Sequence, residues 1–261
     1  VDALRTYQEM REALYGMEDR AEALLSLPES GWYHVSNLMT DPRQTVFAPV
    51  SSGLTAIAEE NGSCYPMQKL VHADGSEQLC AHVGEIAGMT RRSFRAAQAA
   101  DAAVTGMLAA SEQVLENDFF RIELGDDGAV RSILDKVRSL PLNKPGEQLN
   151  EWQLFEDCPG VYNAWDIVRT FENQRIPLPG WTNLTVCEQG PVTAAVRMER
   201  AFGSSRAVQI IRIWRSQPRI DFDTWVDWHE DQKLLKVAFP VQVHARTYAT
   251  DTSAGVMERM N

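Results

Sequence analysis

Residues 219–241 read RIDFDTWVDWHEDQKLLKVAFPV, and their period decides the fold. Successive side chains of a strand point to opposite faces, so Ile220, Phe222, Thr224, Val226 and Trp228 share one side of an extended chain. After Glu230-Asp231-Gln232, the pattern resumes with Leu235, Val237, Phe239, Val241 and Val243 on one face. Upstream, Val192, Ala194, Val196, Met198 and Phe202 do the same. Phe202-Gly203-Ser204-Ser205 and Ser216-Gln217-Pro218 mark turns between the runs. Period-two alternation with short turns predicts an antiparallel meander with one buried face, and so a mainly β chain.

The same pattern extends outward. Phe120, Ile122 and Leu124 alternate with polar residues, Asp126-Asp127-Gly128 makes a turn, and Val130, Ile133 and Leu134 follow. Residues 114–261 are therefore expected to form a large antiparallel β-sandwich. Residues 29–95 hold shorter runs, from Trp32-Tyr33-His34-Val35 to Gln78–Val83, with Asn61-Gly62 and Asp74-Gly75 as hairpin turns. They predict a small β-sandwich. Residues 1–28 carry Leu4, Tyr7, Met10, Arg11, Leu14, Met17, Ala21, Leu24 and Leu25 at helical steps, closed by Pro28. A lone helix must dock on something, either an upstream bundle or the β structure after it. The Ala-rich stretch 96–113 has little amphipathic pattern and reads as a linker.

The net charge of −11 repels phosphate backbones, which disfavours nucleic acid as a partner. No apolar run is long enough to cross a bilayer, so no membrane is expected. The four cysteines form no CxxC pair and read as reduced thiols of a cytoplasmic protein. The five histidines show no helical metal spacing and no HExxH. No GxSxG or phosphate loop occurs. Paired carboxylates are the chemistry of glycoside hydrolysis. Asp221 and Asp223 share a strand face with Arg219 and Asp227 and could bind a sugar or a cation, but a solvated, charge-balanced sheet face explains them better. Of the seven tryptophans, Trp165 stands apart. It follows Tyr162-Asn163-Ala164 and precedes Asp166 in a polar segment, where an aromatic face could line a site.

Several stretches resemble family 38 glycoside hydrolases, the α-mannosidase type. Residues 219–241 are similar to that family's RIDF-x-T-x-VDWHE-x-x-KLLKVAFPV run. Leu115–Glu123 resembles the LEN-x-F-x-R-V-E start of its large β domain. Asp127-Gly128, Ser132 and Asp135-Lys136 continue the likeness, as do Asn150–Asp157, Asn163–Ile167, Gly190-Pro191-Val192 and Val256–Arg259. The resemblance covers 115–259 in order and is looser upstream, where Val35–Met39 stands in place of the family's FNPLSW-type opening.

The resemblance implies a truncated, galactose-mutarotase-like supersandwich, incomplete at its C-terminus, preceded by a helix that ends the family's helical bundle. It implies a parent enzyme that hydrolyses α-mannosides with retention, using zinc, a nucleophilic Asp and a second carboxylic acid. Those catalytic residues and zinc ligands belong to an upstream domain, so none is expected in this chain, and the piece is expected to be inactive alone. Trp165, Asp166, Glu258 and Arg259 match positions near loops that close the substrate pocket. The expected partners are an α-mannoside or related oligosaccharide and the upstream catalytic domain. An exposed sheet edge also leaves room for a homo-oligomer. The alternative from the residues alone is a stand-alone carbohydrate-binding or mutarotase-like β-sandwich.

Overall fold

The computed structural model describes residues 5–6, 8–13, 15, 31–98, 104–162, 165–253 and 255–260. The described residues between 5 and 15 are helical and exposed, with Arg5 and Glu9 paired one turn apart at 3.3 Å. Leu4, Tyr7, Leu14, Met17, Ala21, Leu24 and Leu25 of the expected apolar stripe lie outside the described residues. Among the described residues that follow, the elements are β-strands and two single-turn 3-10 helices, in two compact units.

The first unit comprises Val1–Met67 and Cys80–Ala103. One sheet holds β1 (Trp32–Asn37), β7 (Thr90–Ala97), β3 (Ala56–Ala58) and β4 (Cys64–Pro66) in that order. A second places β2 (Arg43–Pro49) beside β6 (Glu77–Ile86). Ile57 and Phe94 from the first sheet and Val46, Val83 and Ile86 from the second are buried, which makes this a small sandwich. Asn61-Gly62 turns the chain between β3 and β4, with the Gly62 amide donating to Glu59 O at 3.1 Å. The hairpin of β5 (Gln68–Val71), Asp74-Gly75 and the start of β6 groups with the second unit, so the expected block 29–95 is not one body. The reason is polar. The Gln68 side chain bonds the Val192 amide and both the amide and the hydroxyl of Thr193, all at 2.7–2.9 Å.

The second unit comprises Gln68–Leu79 and Val104–Asn261. A five-stranded sheet runs β12 (Leu140–Pro141), β11 (Val130–Asp135), β10 (Phe120–Leu124), β9 (Val114–Asn117), β8 (Leu108–Ala110). The meander is β15 (Thr182–Gln189), β16 (Thr193–Phe202), β17 (Ser205–Trp214) and β18 (Gln217–Asp227). Leu115, Ile122 and Ile133 of the first sheet meet Val196, Met198, Ile211 and Ile213 of the second in one core. That is the large sandwich the alternation foretold. A three-stranded sheet, β14 (Arg175–Ile176), β13 (Glu151–Glu156) and β19 (Lys233–Ala238), adds Trp152 and Leu154 to the same core. β20 (Thr247–Thr252) and β21 (Gly255–Met260) pair only with each other.

Four expectations change. The run after Gln232 does not continue the meander. β19 leaves β18 and pairs antiparallel with β13, Leu235 opposite Leu154. The turn explains this: Glu230 accepts from the Ser204 amide (2.6 Å) and Ser205 hydroxyl (3.0 Å), and the His229 amide donates to Ser205 Oγ (2.8 Å), which folds the chain back. β19 ends at Ala238 and Val241 makes an isolated bridge to Asn143; Val237, Phe239, Val241 and Val243 are exposed, although their spacing suggested a buried face. Thr224 and Trp228 are also exposed, since β18 ends at Asp227 and Trp228 keeps one ring neighbour, Phe202, at 6.1 Å. Finally, the expected linker 96–113 is strand at Ala96-Ala97 and at Leu108–Ala110, because Ala110 finds a free edge opposite Leu115.

Candidate functional site

Trp165 and Asp166 lie on the segment between β13 and β14. Its base is fixed: the Asp157 amide donates to Gln232 O and the Asp157 carboxylate accepts from the Val168 amide, both at 2.9 Å. Phe171 packs edge-on against Phe155 at 5.1 Å, and Lys236 Nζ lies 4.7 Å from the Phe171 ring centroid. At the tip, Tyr162 takes φ +64°, and its carbonyl accepts from the amides of Trp165 (2.8 Å) and Asp166 (2.9 Å). Asn163 and Ala164 lie outside the described residues. The outcome is an indole that is 88% exposed on a turn with a pinned base. An exposed indole face is suited to packing on pyranose C–H groups, and the adjacent exposed carboxylate to accepting from hydroxyls.

Glu258 and Arg259 lie on β21, opposite Ala249 and Tyr248 of β20. Both are exposed, and Glu258 accepts from the Thr247 hydroxyl at 2.9 Å. Neighbours on a strand point to opposite faces, so these two cannot act on one ligand from the same side of the hairpin. No hydrogen bond, ion pair or ring contact joins Glu258 or Arg259 to Trp165 or Asp166.

Asp221 and Asp223 are engaged within the fold. Asp221 accepts from Trp214 Nε1 (2.8 Å) and Arg219 Nε (2.6 Å). Asp223 meets His72 Nδ1 at 2.9 Å and lies 3.9 Å from Arg212. Arg212 is buried against Glu188 through two bonds of 2.8 and 2.9 Å and donates to Val71 O at 2.7 Å. Burial alone would lower the Arg212 pKa, but the Glu188 bonds and charge outweigh it and raise it. Asp223, with Arg212 and Glu188, binds the β5–β6 hairpin to the meander, while Asp221 is held within the meander.

Among the described residues no three His, Cys, Asp or Glu side chains converge to hold a metal. The four cysteines form no disulfide, and burial pushes the Cys187 thiol up to about 11. Among the described residues no helix is long and apolar enough to cross a membrane.

One feature escaped the sequence reading. A cavity of about 280 Å³ is lined by Trp152, Trp181, Gly180, Arg175 and Arg200, among others. Arg200 is on the core-facing side of β16, in register with Met198 and Phe202. Its alternation position was the only available signal, a charge where the pattern calls for an apolar residue.

Residues 115–261 match the family described as glycosyl hydrolases family 38, C-terminal domain. Alpha-mannosidase 2C1 from Homo sapiens is 28% identical over 147 residues, which are 56% of this chain and 14% of that protein. Alpha-mannosidase G from Dictyostelium discoideum is 27% identical over 158 residues, 58% of this chain and 14% of the relative. The chain thus spans about a seventh of the length of the curated relatives it matches. Two crystal structures share the fold. A glycosyl hydrolase family 38 protein from Enterococcus faecalis gives a TM-score of 0.61 at 14% identity, over 90% of this chain and 36% of that one. An alpha-mannosidase from Enterococcus faecalis V583 gives 0.63 at 16%, over 90% and 34%.

Proposed function

This chain belongs to glycosyl hydrolase family 38, and from that premise we propose that it is the post-catalytic β portion of an enzyme that hydrolyses α-mannosides. The observation that carries the reading is the family match over 115–261, with relatives named alpha-mannosidases. The chain's role is to scaffold the catalytic domain and to border the substrate pocket. Trp165 stacks on a sugar ring from its pinned turn, and Asp166 accepts from a hydroxyl beside it. Glu258 and Arg259 line a second stretch of the border.

The nucleophilic Asp, the acid/base carboxylate and the zinc ligands of the retaining reaction belong to a preceding catalytic domain. Four cysteines with no CxxC spacing fit reduced thiols and so a cytoplasmic parent. The isolated chain is accordingly inactive. The test is turnover of a chromogenic α-mannoside, with zinc supplied, by the 261-residue chain and by the parent protein. The expected result is turnover by the parent alone. Turnover by the isolated chain would refute the division of labour, and an inactive, folded parent would refute the mannosidase assignment.

A further inference from the structure

Arg200 is the one charged side chain on the buried face of β16. It is nine-tenths buried, at 9% relative exposure. Its guanidinium lies 4.2 Å from the Trp181 ring centroid and 5.6 Å from that of Trp152. No carboxylate or carbonyl among the described residues accepts from it, and its Nε has no hydrogen-bond partner. Trp152 Nε1, also buried, has none either. Buried charges are normally paired, and buried donors normally bonded. Arg200 lines a cavity of about 280 Å³ and no acceptor among the described residues meets it, an exception that calls for a partner.

The acids nearby are already engaged. Asp127 forms an ion pair with Arg131 at 2.8 Å, and Glu151 with Arg175 at 2.6 Å. Asp127 acts on Arg200 only through space, and burial outweighs it, taking the arginine down to about 10, still protonated near neutrality. The cation thus keeps its charge in a partly dry cavity. A guanidinium presents a planar fork that matches a carboxylate with two parallel bonds. The rim carboxylates of Asp127 and Glu151 repel a second negative charge and so disfavour a dianion. Ile176, Leu178 and the flanking prolines offer an apolar wall, and the volume is at the small end of ligand pockets.

The geometry points to this cavity as a binding site for a small monocarboxylate, with Arg200 as its anchoring cation. This does not depend on the mannoside reading.

Two indoles at the site supply the readout. The 261-residue chain is titrated with sodium butyrate, with inorganic phosphate, and with sodium chloride at matched ionic strength, following tryptophan fluorescence. The expected result is a saturable change with butyrate, at least tenfold weaker with phosphate, and absent with chloride. Arg200→Gln should weaken butyrate at least tenfold, and Arg200→Lys, which keeps the charge and loses the planar fork, by about threefold or more. A butyrate response no different from chloride overturns the proposal. So does phosphate binding as tightly as butyrate, or a folded Arg200→Gln chain that binds unchanged. If circular dichroism shows that Arg200→Gln does not fold, Arg200→Lys decides, and unchanged affinity there overturns the proposal.

Discussion

At the scale of single residues, Gly128 shows how a turn is coupled to the core. It ends the Asp126-Asp127-Gly128 turn with φ +70°, a conformation that L residues with a Cβ avoid. A Cβ there would lie 2.5 Å from Trp181 Cβ, with no flexible end to give way. Gly128→Ala should cost roughly 2–4 kcal/mol, read from the urea midpoint, because strain and overlap add. The buried Arg212–Glu188 pair predicts a comparable loss by another route. Arg212→Ala leaves Glu188 buried without its partner and should cost about 3–5 kcal/mol. Glu59 predicts a pH dependence. Its carboxyl is held below the usual 4.5, chiefly by the hydrogen bond from Arg92, against the cost of burial. A depressed folded pKa means that the stabilisation is full above pH 4.5 and lost as pH falls through the lower folded value. Glu59→Gln should therefore lower stability by about 1 kcal/mol at pH 7 and by almost nothing near pH 2, in paired denaturation series.

At the scale of elements, alternation made β15 to β18 legible, and the turn residues placed their joints. It failed where a strand chooses its neighbour. Period two says that Leu235 belongs to a strand face but not whether β19 lies beside β18 or β13. That choice was made by Glu230, Ser205 and Gln232, whose hydrogen bonds fold the chain away from the meander. Alternation also cannot report an apolar face that meets nothing, which is why Val241 and Val243 read as core and lie exposed. The hairpin 68–79 was read correctly as a hairpin and assigned to the wrong body, because side-chain bonds of Gln68, Glu188, Arg212 and Asp223 carry its attachment. The elements should differ in protection. β16 and β17 have both neighbours and buried faces, whereas β20 and β21 have only each other, so amide exchange should be slowest in the first pair and fastest in the second. Ile211→Ala should cost about 2–5 kcal/mol, while Val256→Ala should stay within about 0.5 kcal/mol, by the same unfolding assay.

At the scale of the molecule, the family was legible because its motifs coincide with strand pairs and turns, which are long and ordered in sequence. The border site was legible only in part. Trp165 announced itself as an aromatic in a polar segment and is fully presented to solvent. Glu258 and Arg259 came from resemblance alone and proved to point to opposite sides of one hairpin. The Arg200 cavity was not foreseen, because an arginine in an alternating run looks like any surface charge until the facing indoles are located. The central claim is that this chain shapes the mannoside pocket of its parent, and the direct measurement is kcat/KM of the parent carrying Trp165→Ala. At 88% exposure the change removes no core contact, so the melting temperature should stay put while kcat/KM for an α-mannoside falls at least tenfold. An unchanged kcat/KM in a folded variant would contradict the account.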